Sequence, residues 1–369
     1  MLVKLSLRNL VFERVKFIVG IISVGLAIML VLVLLGVYNG AIKQAKSLPE
    51  NSGADYWIVQ KGTRDMFHTV SILAPDKTSD LQGIDGVESV SPAINAPTSI
   101  SLGGKDTAVG IIAYDPATNL LGPPEITGGQ AINSGNQLVV DESLAKQNGL
   151  QLGGSVEIFN RQFSIVGFSG GSNAIAFRYV FMSLNDYKQI QSTGESFVNY
   201  YLITSDSPIA EMQGEVEKIL PGSTVRYTAE VADDNLAVIN GSILPIIGFL
   251  VVIGVAVGIM IVSITVYNTT TERIRDYAIL TAIGAHHSWL SKVAVLQAFI
   301  ISTGGFGIGA SGYFILQSLA PEALRSIEFN LSAPWLLAVA LLTVLMSIIG
   351  ALIPISKIKK IDPVEVFNA

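Results

Sequence analysis

The stretch FIVGIISVGLAIMLVLVLLGVY, residues 17–38, decides the class of this protein, because it contains no Asp, Glu, Lys or Arg. Three further stretches without these residues follow at 243–267, 293–319 and 334–356. Each has at least 22 residues, and about 20 apolar residues in a helix cross the hydrocarbon core of a bilayer. Backbone amides in that core are satisfied only in a helix or a closed barrel, and barrel strands are only about 10 residues long. The sequence therefore predicts four transmembrane helices.

The overall composition disagrees with an ordinary soluble enzyme. Charged residues make up 14% of the 369 residues and hydrophobic residues 50%, whereas soluble domains carry about a quarter charged residues. The first apolar stretch follows a basic start that includes Arg14 and Lys16, as a cleaved signal peptide also does. Its apolar run is longer than the roughly 7–15 residues of a signal-peptide core, so we interpret it as a retained helix.

The charges outside the four stretches divide into two sets, which predict the topology. Segments 1–16, 268–292 and 357–369 hold 10 Lys and Arg against 5 Asp and Glu, while 39–242 and 320–333 hold 13 against 24. Because cytoplasmic flanks of membrane helices are enriched in Lys and Arg, we place the first set and both termini in the cytoplasm. Segment 39–242 is then a large extracytoplasmic domain between helices 1 and 2, and 320–333 is a short outer loop.

The sequence of this outer domain mixes strands with short helices. Residues 138–140 predict a strand, and Asp141 can cap a helix at 142–148 that ends at Gly149. The segment 155–168 predicts a hairpin around Asn160 and Arg161. The fold class expected for the whole chain is therefore four membrane helices with a large extracytoplasmic α+β domain.

No catalytic constellation or ion path is evident in the sequence. Asp141, Glu142 and Lys146 could act as an acid–base group, but a helix cap with solvated charges explains them more simply. The chain has no cysteine, which excludes thiolate metal sites, and no G-x-x-x-x-G-K-[ST] phosphate-binding loop. Charged residues that would mark an ion pathway are missing from the apolar stretches. The histidines lack further candidate ligands nearby and are His68, His286 and His287.

The loop after the second membrane stretch combines charged and apolar residues. Thr269 and Glu272 have the spacing of a capping box that would start a helix; alternatively, that helix continues from the membrane segment. Gly284 is a candidate for the C′ position of the helix. A helix with a charged start and a broad apolar flank suits docking into a partner's groove. The alternative is an amphipathic helix that lies on the lipid interface.

Glycines in the third membrane stretch predict close helix packing. Gly305 and Gly309 form a G-x-x-x-G pair, which lets two helix backbones approach each other. The sequence leaves open whether the partner helix belongs to the same chain or to a second copy.

Several segments resemble one known family. The stretch TERIRDYAILTAIGA at 271–285 closely resembles the segment after the second membrane helix of the FtsX/MacB-like permeases, which are membrane subunits of ABC transporters. The ending IDPVEV at 361–366 resembles the family's C-terminal Asp-Pro motif, and SLRNL at 6–10 resembles its pre-helix segment. Residues 140–167 resemble the helix–hairpin unit of its MacB-like core domain. The order of parts also agrees, so the resemblance spans essentially the whole chain.

The resemblance implies a non-catalytic transporter subunit in the prokaryotic plasma (inner) membrane. Two such permeases, here expected as a homodimer, work with two copies of a cytoplasmic ABC ATPase. This chain would bind no cofactor, and ATP and Mg would be held by the ATPase. The segment 268–292 would contain the coupling helix. The residues expected to couple to the ATPase are Glu272, Arg273, Arg275, Tyr277, Ala278, Ile279, Leu280, Ile283, Gly284, Ala285, Asp362 and Pro363.

The resemblance leaves the transported substance open. Members of the family export or extract lipophilic molecules, peptides, haem or lipoproteins, with or without a membrane-fusion protein outside. Others are mechanotransmission scaffolds that regulate a cell-wall hydrolase or a sensor kinase. In similar haem exporters the substrate binds near the outer ends of the first helices, which makes Met29 and Tyr38 candidates here, although helix packing is the simpler explanation. No nucleic-acid partner is expected, and a membrane-bound enzyme lacks support.

Overall fold

A computed structural model of the chain describes residues 6, 14–67, 69–102, 105–172, 178–190, 197–319 and 331–359. Two compact units can be distinguished. The helical unit comprises the described residues of Met1–Asn39, Leu244–Ala320 and Glu328–Ala369. The sheet unit comprises the described residues of Gly40–Ile243.

The elements of the described residues are numbered along the chain. The helices are α1 (Arg14–Glu50), α2 (Thr78–Gln82), α3 (Glu142–Asn148), α4 (Leu184–Ile190), α5 (Ile209–Ile219), α6 (Thr228–Ser242), α7 (Leu244–Glu272), α8 (Ile274–Ala282), α9 (His287–Leu319), α10 (Ala333–Gly350) and α11 (Leu352–Lys359). The strands are β1 (Tyr56–Gln60), β2 (Val87–Leu102), β3 (Lys105–Tyr114), β4 (Glu125–Gly129), β5 (Gln137–Asp141), β6 (Ser155–Ile158), β7 (Arg161–Gly170), β8 (Arg178–Ser183), β9 (Tyr200–Ser205) and β10 (Ser223–Tyr227).

Four helical segments among the described residues are long and apolar enough to cross a membrane, namely α1, α7, α9 and the stretch Ala333–Ile358. These helical segments are longer than the charge-free stretches of the sequence. For example, α1 continues to Glu50 and α9 begins at His287. A charge-free run marks the part that lipid requires to be apolar, whereas a helix continues through polar residues of good propensity. Helices α10 and α11 are interrupted at Ala351, because Pro354 cannot donate a hydrogen bond to Gly350 and its ring crowds that carbonyl.

Close contact between α1 and α9 organises the helical unit. A Cβ added at Gly309 would lie 2.7 Å from the carbonyl oxygen of Gly25, and one added at Gly305 would lie 2.6 Å from Val24. Only glycine permits two helix backbones to approach this closely. The G-x-x-x-G pair therefore packs against α1 of the same chain, which answers the question that the sequence left open.

The sheet unit is built on one sheet with the strand order β10-β1-β9-β2-β3-β8-β5-β7-β4, and β6 pairs with β7. Most pairs are antiparallel, but β3 runs parallel to β8, and β5 parallel to β7. Residues alternate between the two faces, so that in β8 Val180 and Met182 join one core cluster while Tyr179 and Phe181 join another. Both faces are buried, and the unit is an α+β domain as predicted.

The helix–hairpin segment of the sheet unit forms nearly as the sequence predicts. The Asp141 Oδ1 accepts hydrogen bonds from the amides of Ser143 (2.9 Å) and Leu144 (3.1 Å), which caps α3. Glu142 forms an ion pair with Lys146 at 2.6 Å, and this hydrogen bond lowers the pKa of the Glu142 carboxyl. The three residues thus form a cap and a solvated ion pair, which supports the simpler interpretation.

The hairpin turn lies one residue earlier than predicted. Ile158 pairs with Arg161, so the two turn residues are Phe159 and Asn160, with φ of 48° and 61°. A two-residue hairpin turn needs positive φ, and asparagine adopts it more readily than arginine. The prediction of a turn around Asn160 and Arg161 was wrong by this one position.

Candidate docking segment after the second membrane helix

The segment begins at a break between α7 and α8. Helix α7 ends at Glu272, Arg273 leaves the helical conformation with φ −101° and ψ 14°, and α8 starts at Ile274. The predicted capping box at Thr269 and Glu272 is wrong, because Thr269 lies inside α7 and its hydroxyl donates to the Thr265 carbonyl at 3.0 Å. The alternative, a helix that continues from the membrane segment, is correct as far as Glu272.

The far end of α8 is closed by Gly284, which occupies the C′ position. Its φ is +104°, a conformation that costs glycine little. The Gly284 amide donates to Thr281 at 3.0 Å and the Ala285 amide to Leu280 at 2.9 Å, which together form a Schellman motif. Gly284 is exposed and Ala285 is half-buried. The motif fixes where α8 ends and where the chain turns toward α9.

The histidine pair belongs to the start of α9. His286 Nδ1 accepts a hydrogen bond from the Ser288 amide at 3.2 Å, so this ring caps the first turn of α9. His287 is the first residue of that helix. No group of three potential metal ligands occurs among the residues that the structure describes.

One face of α8 packs into the helical unit. Tyr277 and Ala278 are fully buried and share a core cluster with Val266 of α7 and Leu290 of α9. Leu280 is half-buried against the same cluster. These predicted coupling residues therefore hold the segment in place and do not present a surface to a partner.

The opposite face of the segment is exposed. Ile279 is 42% exposed and Ile283 is 79% exposed, and they lie one helical turn apart. Charged residues precede them on the same side at spacings of three and four. We call this surface the docking face, and its residues are Glu272, Arg275, Asp276, Ile279, Ala282 and Ile283.

Ion pairs surround the break between α7 and α8. Arg273 donates to the Asp276 carboxylate at 3.0 Å, and Asp276 lies in the first turn of α8, where a negative charge is favourable. Lys16, in the first turn of α1, contacts the Glu272 carboxylate. The sequence did not indicate Lys16 for this site, since 256 positions separate it from Glu272 and no local pattern connects them.

The remaining predicted site residues lie elsewhere. Met29 is half-buried, and its sulfur lies 2.9 Å from the position that a Cβ on Gly312 would take. Tyr38 is buried and meets the Trp335 ring edge to face, with 6.4 Å between the centroids. Both side chains take part in packing inside the helical unit. Asp362 and Pro363 lie outside the described residues.

Comparison with known proteins reveals relatives along the whole chain. Residues 248–363 match the family model of the FtsX-like permease C-terminal region, and residues 18–219 match that of the MacB-like periplasmic core domain. An uncharacterized ABC transporter permease of Mycobacterium tuberculosis is 23% identical over 364 residues, and the alignment covers 98% of each chain. A putative hemin transport system permease protein HrtB of Staphylococcus epidermidis is 22% identical over 367 residues, again with 98% of each covered.

Solved structures also align with part of the chain. The periplasmic region of MacB from Actinobacillus actinomycetemcomitans aligns at 15% identity with a TM-score of 0.39, covering 50% of this chain and 94% of its own. The extracellular domain of a noncanonic ABC-type transporter YknZ from Gram-positive bacteria aligns at 12% identity with a TM-score of 0.38 and covers 47% of this chain and 100% of its own.

Proposed function

Because the chain belongs to the FtsX/MacB-like family of ABC transporter permeases, we propose that its docking face binds a separate cytoplasmic ATPase. ATP hydrolysis by that partner would move the sheet unit on the extracytoplasmic side. ATP and Mg would be bound by the partner, and two copies of each subunit would form the working complex. The observation that carries this proposal is the exposed face of α8.

The exposed isoleucines give the docking face its affinity. Burial of a fully exposed isoleucine side chain contributes about 1.5–3 kcal/mol. Ile283, which is 79% exposed, can therefore contribute most of this amount, and Ile279, which is 42% exposed, a smaller part. Their position at the end of a Schellman-closed helix gives them a fixed direction. A groove lined by apolar residues would cover both at once.

The charges on the same face favour a protein partner over the lipid interface. A helix that lies on lipid separates an apolar face from a basic polar face. Here Arg275 and Asp276 stand one turn before the isoleucines on the same side. Mixed charges of both signs around an apolar centre suit a complementary protein surface, because charges at the rim supply specificity.

The orientation and the substrate belong to the same proposal. The basic segments support a topology in which α8 and both termini are cytoplasmic, and the sheet unit would then be extracytoplasmic. We propose that the complex exports or extracts a lipophilic molecule, peptide, haem or lipoprotein; the relatives named as putative hemin transport system permeases support a role in transport. A scaffold that regulates a hydrolase or sensor kinase would use the same docking face with a different outer partner.

Purification of the tagged protein from native membranes tests the proposal. We expect a subunit with a phosphate-binding loop to co-purify and to hydrolyse ATP. Ile283→Asp should abolish this recovery, whereas Val70→Asp, at a 70% exposed apolar residue of the sheet unit, should leave it unchanged. Absence of any ATPase from the wild-type sample would overturn the permease function. Full recovery of the ATPase with the Ile283→Asp variant would show that the docking face does not bind the ATPase.

A further inference from the structure

We propose that Lys16 is a positioning residue for the docking face, because it ties the start of α1 to the break between α7 and α8. The inference rests on the proposed function, since it concerns how the same face is held for the ATPase. Lys16 itself would not touch the ATP or the transported substance. Its effect would be transmitted through Glu272.

The contact joins two elements that are remote in sequence. The Lys16 ammonium donates a hydrogen bond to a carboxylate oxygen of Glu272. Lys16 lies in the first turn of α1, and Glu272 is the last residue of α7. The side chains are 55% and 41% exposed, so both remain accessible to solvent. This ion pair thus links the first membrane helix to the residue from which α8 departs.

The break makes such a link necessary. Arg273 interrupts the helix, so the direction of α8 is not inherited from α7 through continuous backbone hydrogen bonds. With nine residues, α8 is also too short to be stable without tertiary contacts. Its orientation therefore depends on the buried pair Tyr277 and Ala278 on one side and on ion pairs at its start.

The same ion pair adjusts the charge of the docking face. Glu272 stands one turn before Arg275 and Asp276 on that face. The positive charge of Lys16 offsets the negative charge of the Glu272 carboxylate. The Arg273 guanidinium, 3.0 Å from the Asp276 carboxylate, does the same for Asp276. Loss of the Lys16 contact would remove one positive partner of the Glu272 carboxylate and loosen the break.

Charge reversal measures this role directly. Exposed ion pairs contribute up to about a fivefold change in an equilibrium constant, and reversal adds repulsion. We expect Lys16→Glu and Glu272→Lys each to weaken binding of the co-purified ATPase by roughly threefold or more. The double variant Lys16→Glu/Glu272→Lys should restore much of the affinity, which general destabilisation would not do. The measurement is titration of the ATPase onto the purified permease in lipid nanodiscs.

A matched ion pair in the sheet unit provides the control. Glu142 and Lys146 form an exposed pair at 2.6 Å, and reversal of both charges there should leave ATPase affinity unchanged. No binding by the wild-type permease would refute the proposed function itself. Wild-type binding that single reversals at Lys16 and Glu272 leave unchanged, or that the double variant fails to restore, would refute the positioning role alone.

Discussion

The sheet unit and the helical unit differ in where their large apolar residues lie. Trp57, Tyr201 and Phe181 are among the largest fully buried side chains of the sheet unit, and the helical unit likewise buries Tyr277 and Tyr313. The helical unit also exposes many large apolar residues on its membrane helices, such as Phe249 and Leu341. Lipid offers no hydrophobic driving force between helices. Close backbone packing at glycines such as Gly309 therefore adds to the packing of buried side chains there.

The two units also satisfy polar groups differently. In the sheet unit long-range contacts dominate, as when Asn199 donates to the Ser71 carbonyl at 2.6 Å and its Oδ1 accepts from the Asn95 amide at 2.9 Å. In the helical unit Thr343 bonds back to Val339 in its own helix at 2.8 Å. A hydroxyl in an apolar surrounding finds its partner most readily within its own helix. The difference reflects the scarcity of polar partners between membrane helices.

Truncation of a phenylalanine in each unit should give the largest difference in stability between the two units. Phe181→Ala removes a fully buried ring from the sheet unit, and we expect a loss of about 3–5 kcal/mol in unfolding free energy. Phe249→Ala removes a ring that is 66% exposed and should change the stability of the helical unit little. Pulse proteolysis in lipid nanodiscs measures both, and equal losses would contradict the contrast.

Addition of one methyl group at a glycine contact should test how closely the helices of the helical unit pack. Gly309→Ala would place its Cβ 2.7 Å from the Gly25 carbonyl oxygen, and overpacking of this kind costs about 1–3 kcal/mol. Gly307 on the same helix has open space around it, so Gly307→Ala is the control. Thermal unfolding in detergent reports both, and a Gly309→Ala variant as stable as the control would refute the close contact with α1.

Removal of a helix cap should have a smaller effect that is confined to the sheet unit. Asp141→Ala deletes the cap of α3 and the hydrogen bond from Ser172 at 2.9 Å. We expect a loss of about 0.5–2 kcal/mol. Glu142→Gln, which only weakens a solvated ion pair, should cost less. Denaturant titration distinguishes the two, and the reverse order would show that the ion pair matters more than the cap.

A buried tyrosine should give the smallest effect, visible only in alkaline solution. Burial raises the pKa of Tyr114 to about 12. The folded state therefore holds the Tyr114 proton more tightly than the unfolded state does. The contribution of this proton to the stability of the fold is complete below pH about 10 and is lost as the pH rises toward 12. Tyr114→Phe should flatten the decline of sheet-unit stability between these values, and near-neutral stability should hardly change. An unaltered decline would contradict the assignment.

The sequence predicts the parts of this protein that depend on local composition. Apolar stretches identify the four long helices, and Asp141 and Gly149 identify the ends of α3, because caps are set by single residues. The break at Arg273 and the turn at Phe159 and Asn160 were missed, because tertiary contacts and backbone conformation decide them. The split of α8 into a buried and an exposed face was also beyond the sequence, since apolar residues lie on both sides.

The most direct test of the proposed docking measures how accessible the docking face is to a thiol reagent with and without the ATPase bound. The chain contains no cysteine, so single cysteines at Ile283 and at the buried Ala278 can be labelled selectively with a membrane-impermeant maleimide in inside-out vesicles. We predict that the cysteine of the Ile283→Cys variant reacts readily in vesicles stripped of the ATPase. It should be protected once the co-purified ATPase is added back. The cysteine of the Ala278→Cys variant should stay unreactive in both cases. Labelling at position 283 that is equally fast with the ATPase bound would contradict the proposal that this face docks it.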